Sequence, residues 1–246
     1  MSGFPEFERR PPALLPPLGC LAIALSLLLF CLMPFLLIDL MQTALSRLHL
    51  PGPIAGIALV LIFVGSMINI PLYRIPRNEL QPEIVMGPFG WRMISPQYRL
   101  VRRESIVAVN VGGCVVPTLL ALWQIFHLTR LGTAPMVGLF VACMTNIMVC
   151  YLIARPVPGF GIIMPAFVSP LVAVGVTWIV CGLFAPVGVE NLAPIAFTAG
   201  VAGPLIGADL LHLKDLLRTP VGVMSIGGAG TFDGIVFSAV LAALLA

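Results

Sequence analysis

The sequence predicts an all-α fold, a polytopic membrane bundle of about seven transmembrane helices with its amino terminus in the cytoplasm. Three observations predict it. Of the 246 residues 59% are hydrophobic and 9% charged, whereas a soluble domain carries about one quarter charged residues, and the mean hydropathy is +1.08. Seven long apolar runs recur, near residues 18–40, 53–73, 105–128, 133–154, 161–185, 191–213 and 225–245, and roughly 20 apolar residues in helical form cross a bilayer. The runs are too long and too little alternating for barrel strands. An unpaired backbone group in hydrocarbon costs several kcal/mol, so helices are the form these runs must take.

In chain order, residues 1–17 form a cytoplasmic tail and residues 18–73 carry the first two transmembrane helices. Residues 74–104 are a cytoplasmic Arg-rich loop, and residues 105–246 a five-helix core rich in Gly motifs. The first run is longer than a secretory signal core and no small-x-small cleavage site follows it, so it reads as a retained helix. The loop contains EIVMGPFGWRMISPQYRLV, which mixes β-branched and aromatic residues around Gly87-Pro88-Phe89-Gly90 and suggests a short hairpin. Its six arginines are expected to act as topology determinants touching anionic lipid, with a lid over the cavity or a partner-docking site as the alternative. All six cysteines lie inside apolar runs without a C-x-x-C pair, as small buried apolar residues do.

With the amino terminus inside, eleven of the thirteen Lys and Arg residues fall on the inner side, leaving Arg47 and Arg130 outside. This is the positive-inside pattern, and the short loops fit a cell inner membrane. The same topology assigns a depth to each unusual residue. Asn110-Val111-Gly112-Gly113, Pro158-Gly159-Phe160-Gly161 through Pro165 and Ser225 to Ile235 come at the start of inward-entering runs. Asn69, Asn146 and Gly203 to Asp209 close the runs that return. Polar and Gly-rich motifs thus collect in the inner half, which predicts a cavity facing the cytoplasm, with glycine and proline letting helices bend or break around it.

Asp209 and Asp233 are the candidate catalytic or binding groups, because an ionised carboxylate in mid-membrane costs at least ~2.5 to 3.5 kcal/mol. Gly203 and Gly207 precede the first, and Gly230 and Gly234 bracket the second. Such spacing lets helix backbones approach closely, so the two acids are expected to face one another. Two carboxylates held close share a proton, one as base and one as acid. A proton-coupled carrier and an aspartyl protease both use that device. The plainer alternative is that each Asp caps a helix end or pairs with Lys214, Arg218 or Arg155.

Asn110, Asn146 and His212 are expected to line the cavity, with interhelical hydrogen bonding as the structural alternative for the two amides. Gly112, Gly113, Gly203, Gly207, Gly227, Gly228, Gly230, Gly234 and Pro165 are expected as packing or hinge positions. His212 follows Asp209 by three residues, on the same helical face. With Asp233 it would complete a two-carboxylate, one-imidazole set. His49 and His127 fall on the opposite side, and neither a metal nor a cofactor is assigned. The expected partners are the lipid bilayer and a small solute, an ion or a membrane-spanning peptide, with no nucleic acid; a homo-oligomer is left open. Asn110-Val111-Gly112-Gly113 and Ser225-Ile226-Gly227-Gly228 echo one another at the openings of two runs entering from the same side.

Four stretches, NVGG at 110–113, PGFGIIMP at 158–165, IGADLLHL at 206–213 and SIGGAGTFDGI at 225–235, together resemble an uncharacterised family of bacterial and archaeal multi-pass membrane proteins, a domain of unknown function. The resemblance covers roughly residues 100 to 246 and brings no known activity. The chain is also similar in part to intramembrane aspartyl proteases of the presenilin and signal-peptide-peptidase type, which would make Asp209 and Asp233 a water-activating pair. It departs from them in three ways: no Tyr precedes Asp209, the glycines before Asp233 read G-A-G-T-F-D, and Pro165-Ala166-Phe167 precedes the acids. The functions in view are a solute or ion carrier or channel, an intramembrane aspartyl protease, and a non-catalytic assembly subunit; whether the protein is an enzyme is left open.

Overall fold

The computed structural model describes residues 17–86, 92–157, 161–184, 187–218, 223–228 and 233–246. The chain divides into two units, Met1–Asp39 and Leu40–Ala246. Helix α1 (Pro17–Ser46) begins in the first and ends in the second. Within the first unit Leu21, Leu27 and Phe35 are exposed.

The second unit holds the other helices: α2 (Gly52–Gly65), α3 (Val116–Thr129), α4 (Thr133–Ile153), α5 (Val168–Leu183), α6 (Leu192–Ala202), α7 (Leu213–Arg218) and α8 (Gly234–Leu245). Pro53 stands in the first turn of α2, where its missing N–H costs nothing. Helix α4 starts after Gly132, whose φ of 111° suits glycine. It stops one residue before Arg155-Pro156, since a residue preceding proline avoids helical geometry. Among the described residues four stretches are long and apolar enough to cross a membrane: Leu21–Ser46, Val111–Thr129, Thr133–Ile153 and Val189–Asp215. The apolar helices α2, α5 and α8 are shorter, at 14, 16 and 12 residues.

These three helices are shorter than their apolar runs because strands take up the ends. Strand β1 (Asn69–Met86) pairs antiparallel with β2 (Arg92–Asn110), Asn69 opposite Asn110 and Met86 opposite Arg92. The hairpin is much longer than the short one the loop suggested, and it claims Asn69–Tyr73 from the second run and Ser105–Asn110 from the third. Pro71 and Pro76 lack the N–H a helix needs, and the β-branched residues of SIVAVN fit a pleated surface. The connecting residues 87–91, with the Gly-Pro-Phe-Gly turn signal, lie outside the described residues. Strand β5 (Val223–Ile226) adds to β2 in parallel, Ala108 opposite Ser225 and Val109 opposite Ile226, giving the order β1-β2-β5. Strands β3 (Arg155–Val157) and β4 (Gly161–Ile163) make a second, two-stranded sheet. The fold is therefore mostly helical with sheets at one end of the helices, and the all-α expectation is corrected to that extent.

Helix α6 is the axis of the core. Every residue from Leu192 to Val201 is buried, and the run LAPIAFTAGVA is small enough for neighbours to close in on all sides. On one side Ile195, Ala196 and Ala199 pack with Leu139, Ala142, Ala173 and Ala242. On the other, Phe197 and Val201 pack with Leu45, Ile62, Leu120, Ile235 and Ala239. A Cβ at Gly200 would lie 2.9 Å from the Ser238 carbonyl oxygen and 3.0 Å from Ala239 Cα, so glycine is what brings α6 against α8.

Candidate functional site

The ends of α2, α3, α4, α5, α6 and α8 that adjoin the strands form the end of the molecule where the sequence collects its motifs. Asn110 closes β2 and caps the π-helical turn Val111–Val115 that leads into α3. Its Oδ1 accepts the Gly113 N–H at 2.7 Å, while its Nδ2 donates to the Ser66 carbonyl at 2.7 Å and to Asn69 Oδ1 at 3.1 Å. Ser225 Oγ donates to the same Asn69 oxygen. Asn110 is fully buried; its bonds join the end of α2 to β1 and β2, and the Ser225–Asn69 bond adds β5 to the same seam.

Glycine makes that seam possible. A Cβ at Gly112 would overlap the Ile62 carbonyl, and one at Gly227 would lie 2.7 Å from Gly113 C. Gly227 also takes a φ of 70°, a left-handed geometry that favours glycine. The two echoing motifs are thus side by side, each a strand end followed by Gly-Gly. Gly228 crowds only Ser225 of its own turn.

Beyond Ala202 the helix α6 widens into a π-helical segment, Gly203–Leu210. Such segments are rare and recur at functional sites. A Cβ at Gly203 would strike Asn146, and one at Gly207 would strike the Ile147 carbonyl. This Gly-x-x-x-Gly pair therefore serves contact with α4, not with the helix that begins after Asp233, and the expectation that it brings the acids together is corrected. Gly234 likewise has nothing within 4 Å of where a Cβ would be, so it is not a packing position. Gly230 lies outside the described residues.

Asp233 is the residue before α8. One carboxylate oxygen accepts the Ile235 N–H at 2.9 Å, the bond that makes Asp a favoured N-cap. Its depth inside a continuous helix, which the apolar run implied, disappears because β5 and the turn at Gly227 occupy the start of that run.

Asp209 and Asp233 nevertheless meet at one cavity of about 330 Å³. Its other lining residues include Ile162, Met164 and Ala166 from β4 and the turn before α5, Pro204 and Ala208 from the π-helical segment, and Phe237 from α8. Asp209 lies within electrostatic reach of Asp233. Among the described residues no hydrogen bond or ion pair holds the Asp209 carboxylate, and Lys214 is exposed to solvent. The two acids thus place like charges beside one another at a cavity whose other walls are mostly apolar.

The remaining candidates sit elsewhere. Asn146 is fully buried and donates through Nδ2 to Ser169 Oγ at 3.0 Å and to the Ala199 carbonyl at 2.8 Å. Ser169 and Ser238 hydroxyls are 2.6 Å apart, so one chain of polar groups joins α4, α5, α6 and α8. Neither Asn110 nor Asn146 is among the cavity's described lining residues. His212 is buried beside Tyr151, with ring centroids 4.9 Å apart, and its Nδ1 faces the Gly207 and Ala208 carbonyls. Pro165 stands in the turn before α5 and its carbonyl accepts the Val168 N–H at 3.3 Å. Sequence reasoning passed over Ser169, Ser238, Gly200 and the cavity wall at Met164 and Phe237. Lone hydroxyls in apolar runs, as at Ser169 and Ser238, are the one signal that marks any of these.

Apolar helices around a buried α6, with carboxylates at the strand-bearing end, define a membrane protein. The chain belongs to the family described as Protein of unknown function (DUF1614), whose model matches residues 63–245. No curated protein and no solved structure matches the chain, and no similarity to intramembrane aspartyl proteases is shown.

Proposed function

We propose that this protein is a carrier or channel of the cell inner membrane in which Asp209 and Asp233 bind a proton or a small cation during its passage. The single observation that carries the reading is that both carboxylates border one otherwise apolar cavity of about 330 Å³. That volume corresponds to about ten waters at ~30 Å³ each, room for a hydrated cation or a small solute. The reading takes α2, α5 and α8 as crossings despite their length. Together with the four longer stretches they make seven, with the amino terminus inside by the distribution of Lys and Arg. Short helices meeting strands in a membrane are tolerated where the irregular backbone lines a cavity, which is where β4 and the turn before α5 stand, through Ile162, Met164 and Ala166.

The test is proton movement in proteoliposomes with an entrapped pH dye, driven by a potassium diffusion potential. Wild type is expected to acidify or alkalinise the lumen faster than empty vesicles, and Asp209→Asn to fall to the empty-vesicle rate. Equal rates for wild type and Asp209→Asn sink the reading.

A second reading is favoured by the bond from Ile235 N–H to Asp233: a non-catalytic membrane subunit in which the acid is a helix cap. The proteolytic reading, with the same two acids activating water, requires Asp233 to give up or share that cap. Cleavage of a membrane-spanning reporter by wild type but not by Asp209→Asn would replace the transport reading with it.

A further inference from the structure

We propose that His212 is a positioning residue for Asp209, acting as the cap that holds the π-helical segment in the form that turns Asp209 into the cavity. The inference deepens the role proposed for Asp209 and rests on it. A helix leaves its last four carbonyls without main-chain partners. In this segment Leu211 N–H reaches back five residues to the Ile206 carbonyl at 3.0 Å, and the regular ladder ends there. The next two carbonyls, of Gly207 and Ala208, receive His212 Nδ1 at 3.2 and 3.0 Å. Carbonyl oxygens only accept, so Nδ1 carries the proton and donates to both. Asp209 is the next residue after this pair.

The ring is fixed in turn. His212 is 9% exposed and lies against Tyr151 near the end of α4, while Gly207 packs on the Ile147 carbonyl of the same helix. One imidazole therefore anchors the end of the π-helical segment to α4. If the segment rewound to ordinary α-helix, the change of about one residue per turn would build up along it and rotate the residues at its end, Asp209 among them, by about 100° relative to α6. Asp209 would leave the cavity wall on which it stands with Ala208 and Pro204.

Three full-length proteins in liposomes test this: wild type, His212→Phe, which keeps an aromatic ring beside Tyr151 but cannot donate, and His212→Gln, which can. The first readout is the rate at which dicyclohexylcarbodiimide, a probe of protonated carboxyls in apolar surroundings, labels Asp209 and Asp233, resolved by mass spectrometry. Loss of one hydrogen bond of ordinary strength shifts a local equilibrium by about fivefold. His212→Phe is thus expected to slow labelling of Asp209 by about that factor, leaving Asp233 unchanged, and His212→Gln to restore it. The second readout is amide hydrogen exchange across residues 203–213, expected to speed up by a similar factor in His212→Phe alone. Wild-type labelling and exchange in His212→Phe would overturn the proposal, as would a His212→Gln protein that behaves like His212→Phe. If Asp209→Asn leaves proton movement unchanged, the transport reading falls, while labelling and exchange still decide the role of His212.

Discussion

Asp233 holds the Ile235 N–H at 2.9 Å with one carboxylate oxygen and borders, with Gly234 and Ile235, the cavity that Asp209 reaches from the end of α6. One side chain thus has two attributes, a hydrogen bond that starts a helix and a charge beside a second acid. Substitutions that separate the two are the most informative.

Asp233→Ala removes the cap. The expected cost is about 1 kcal/mol, within the range for Asp N-caps, read as a lower midpoint of thermal unfolding in detergent. Asp233→Ser keeps an oxygen able to accept the Ile235 N–H and is expected to unfold within a few tenths of a kcal/mol of wild type.

Gly112 and Gly234 both looked like packing glycines in the sequence and are expected to respond oppositely to alanine. A methyl at Gly112 overlaps the Ile62 carbonyl, which is main chain of α2 and cannot swing aside. Gly112→Ala should cost about 1 to 3 kcal/mol or more, or prevent accumulation of folded protein. Gly234→Ala adds a methyl with no neighbour within 4 Å in the first turn of α8, and folded yield and midpoint should be unchanged or slightly raised.

Asn146→Ala leaves the Ala199 carbonyl and the Ser169–Ser238 hydroxyl pair without the amide that joins them. Unmaking buried hydrogen bonds costs about 1 to 3 kcal/mol, so unfolding should come at a lower temperature. Because Asn146 stands away from the cavity's described wall, proton movement per folded molecule should stay at the wild-type level. A variant of normal stability but without flux would move Asn146 into the transport path.

The ion pair of Arg74 with Glu104 spans 3.6 Å with both side chains more than half exposed. Exposed pairs contribute about 0 to 1 kcal/mol. Glu104→Gln should therefore shift the midpoint little, and the small shift should vanish in high salt.

The membrane character was legible because hydrophobicity accumulates over about twenty residues and no local detail can hide it. Helix ends were not. SIVAVN and VMSI are as apolar as the helices beyond them, so hydropathy alone ran helices through Ser105–Asn110 and from Ser225 onward; their β-branched residues, and the prolines at 71 and 76, were the contrary signals. What decides for strand is pairing between segments far apart in the chain, Ala108 with Ser225 and Val109 with Ile226, which no local pattern encodes. The same limit explains the glycines. Spacing announced close contact at Gly203 and Gly207 but not the partner, and α4 proved to be it. Gly200, flanked at four residues by Ala196 and Pro204 and so part of no Gly-x-x-x-Gly pair, makes the contact with α8. Asp209 and Asp233 were legible as a pair because charge is so rare in these runs, but that one of them is a helix cap depended on where α8 starts.

Binding of a proton or cation in passage by both carboxylates is tested most directly by Asp233→Asn. Asparagine caps a helix about as well as aspartate, so the start of α8 is preserved while the charge beside Asp209 is lost. The measurement is potential-driven proton movement in proteoliposomes, normalised to protein of verified thermal stability. The transport reading predicts an unfolding midpoint like that of wild type with flux reduced to the empty-vesicle rate. Wild-type flux in a stably folded Asp233→Asn protein would contradict it.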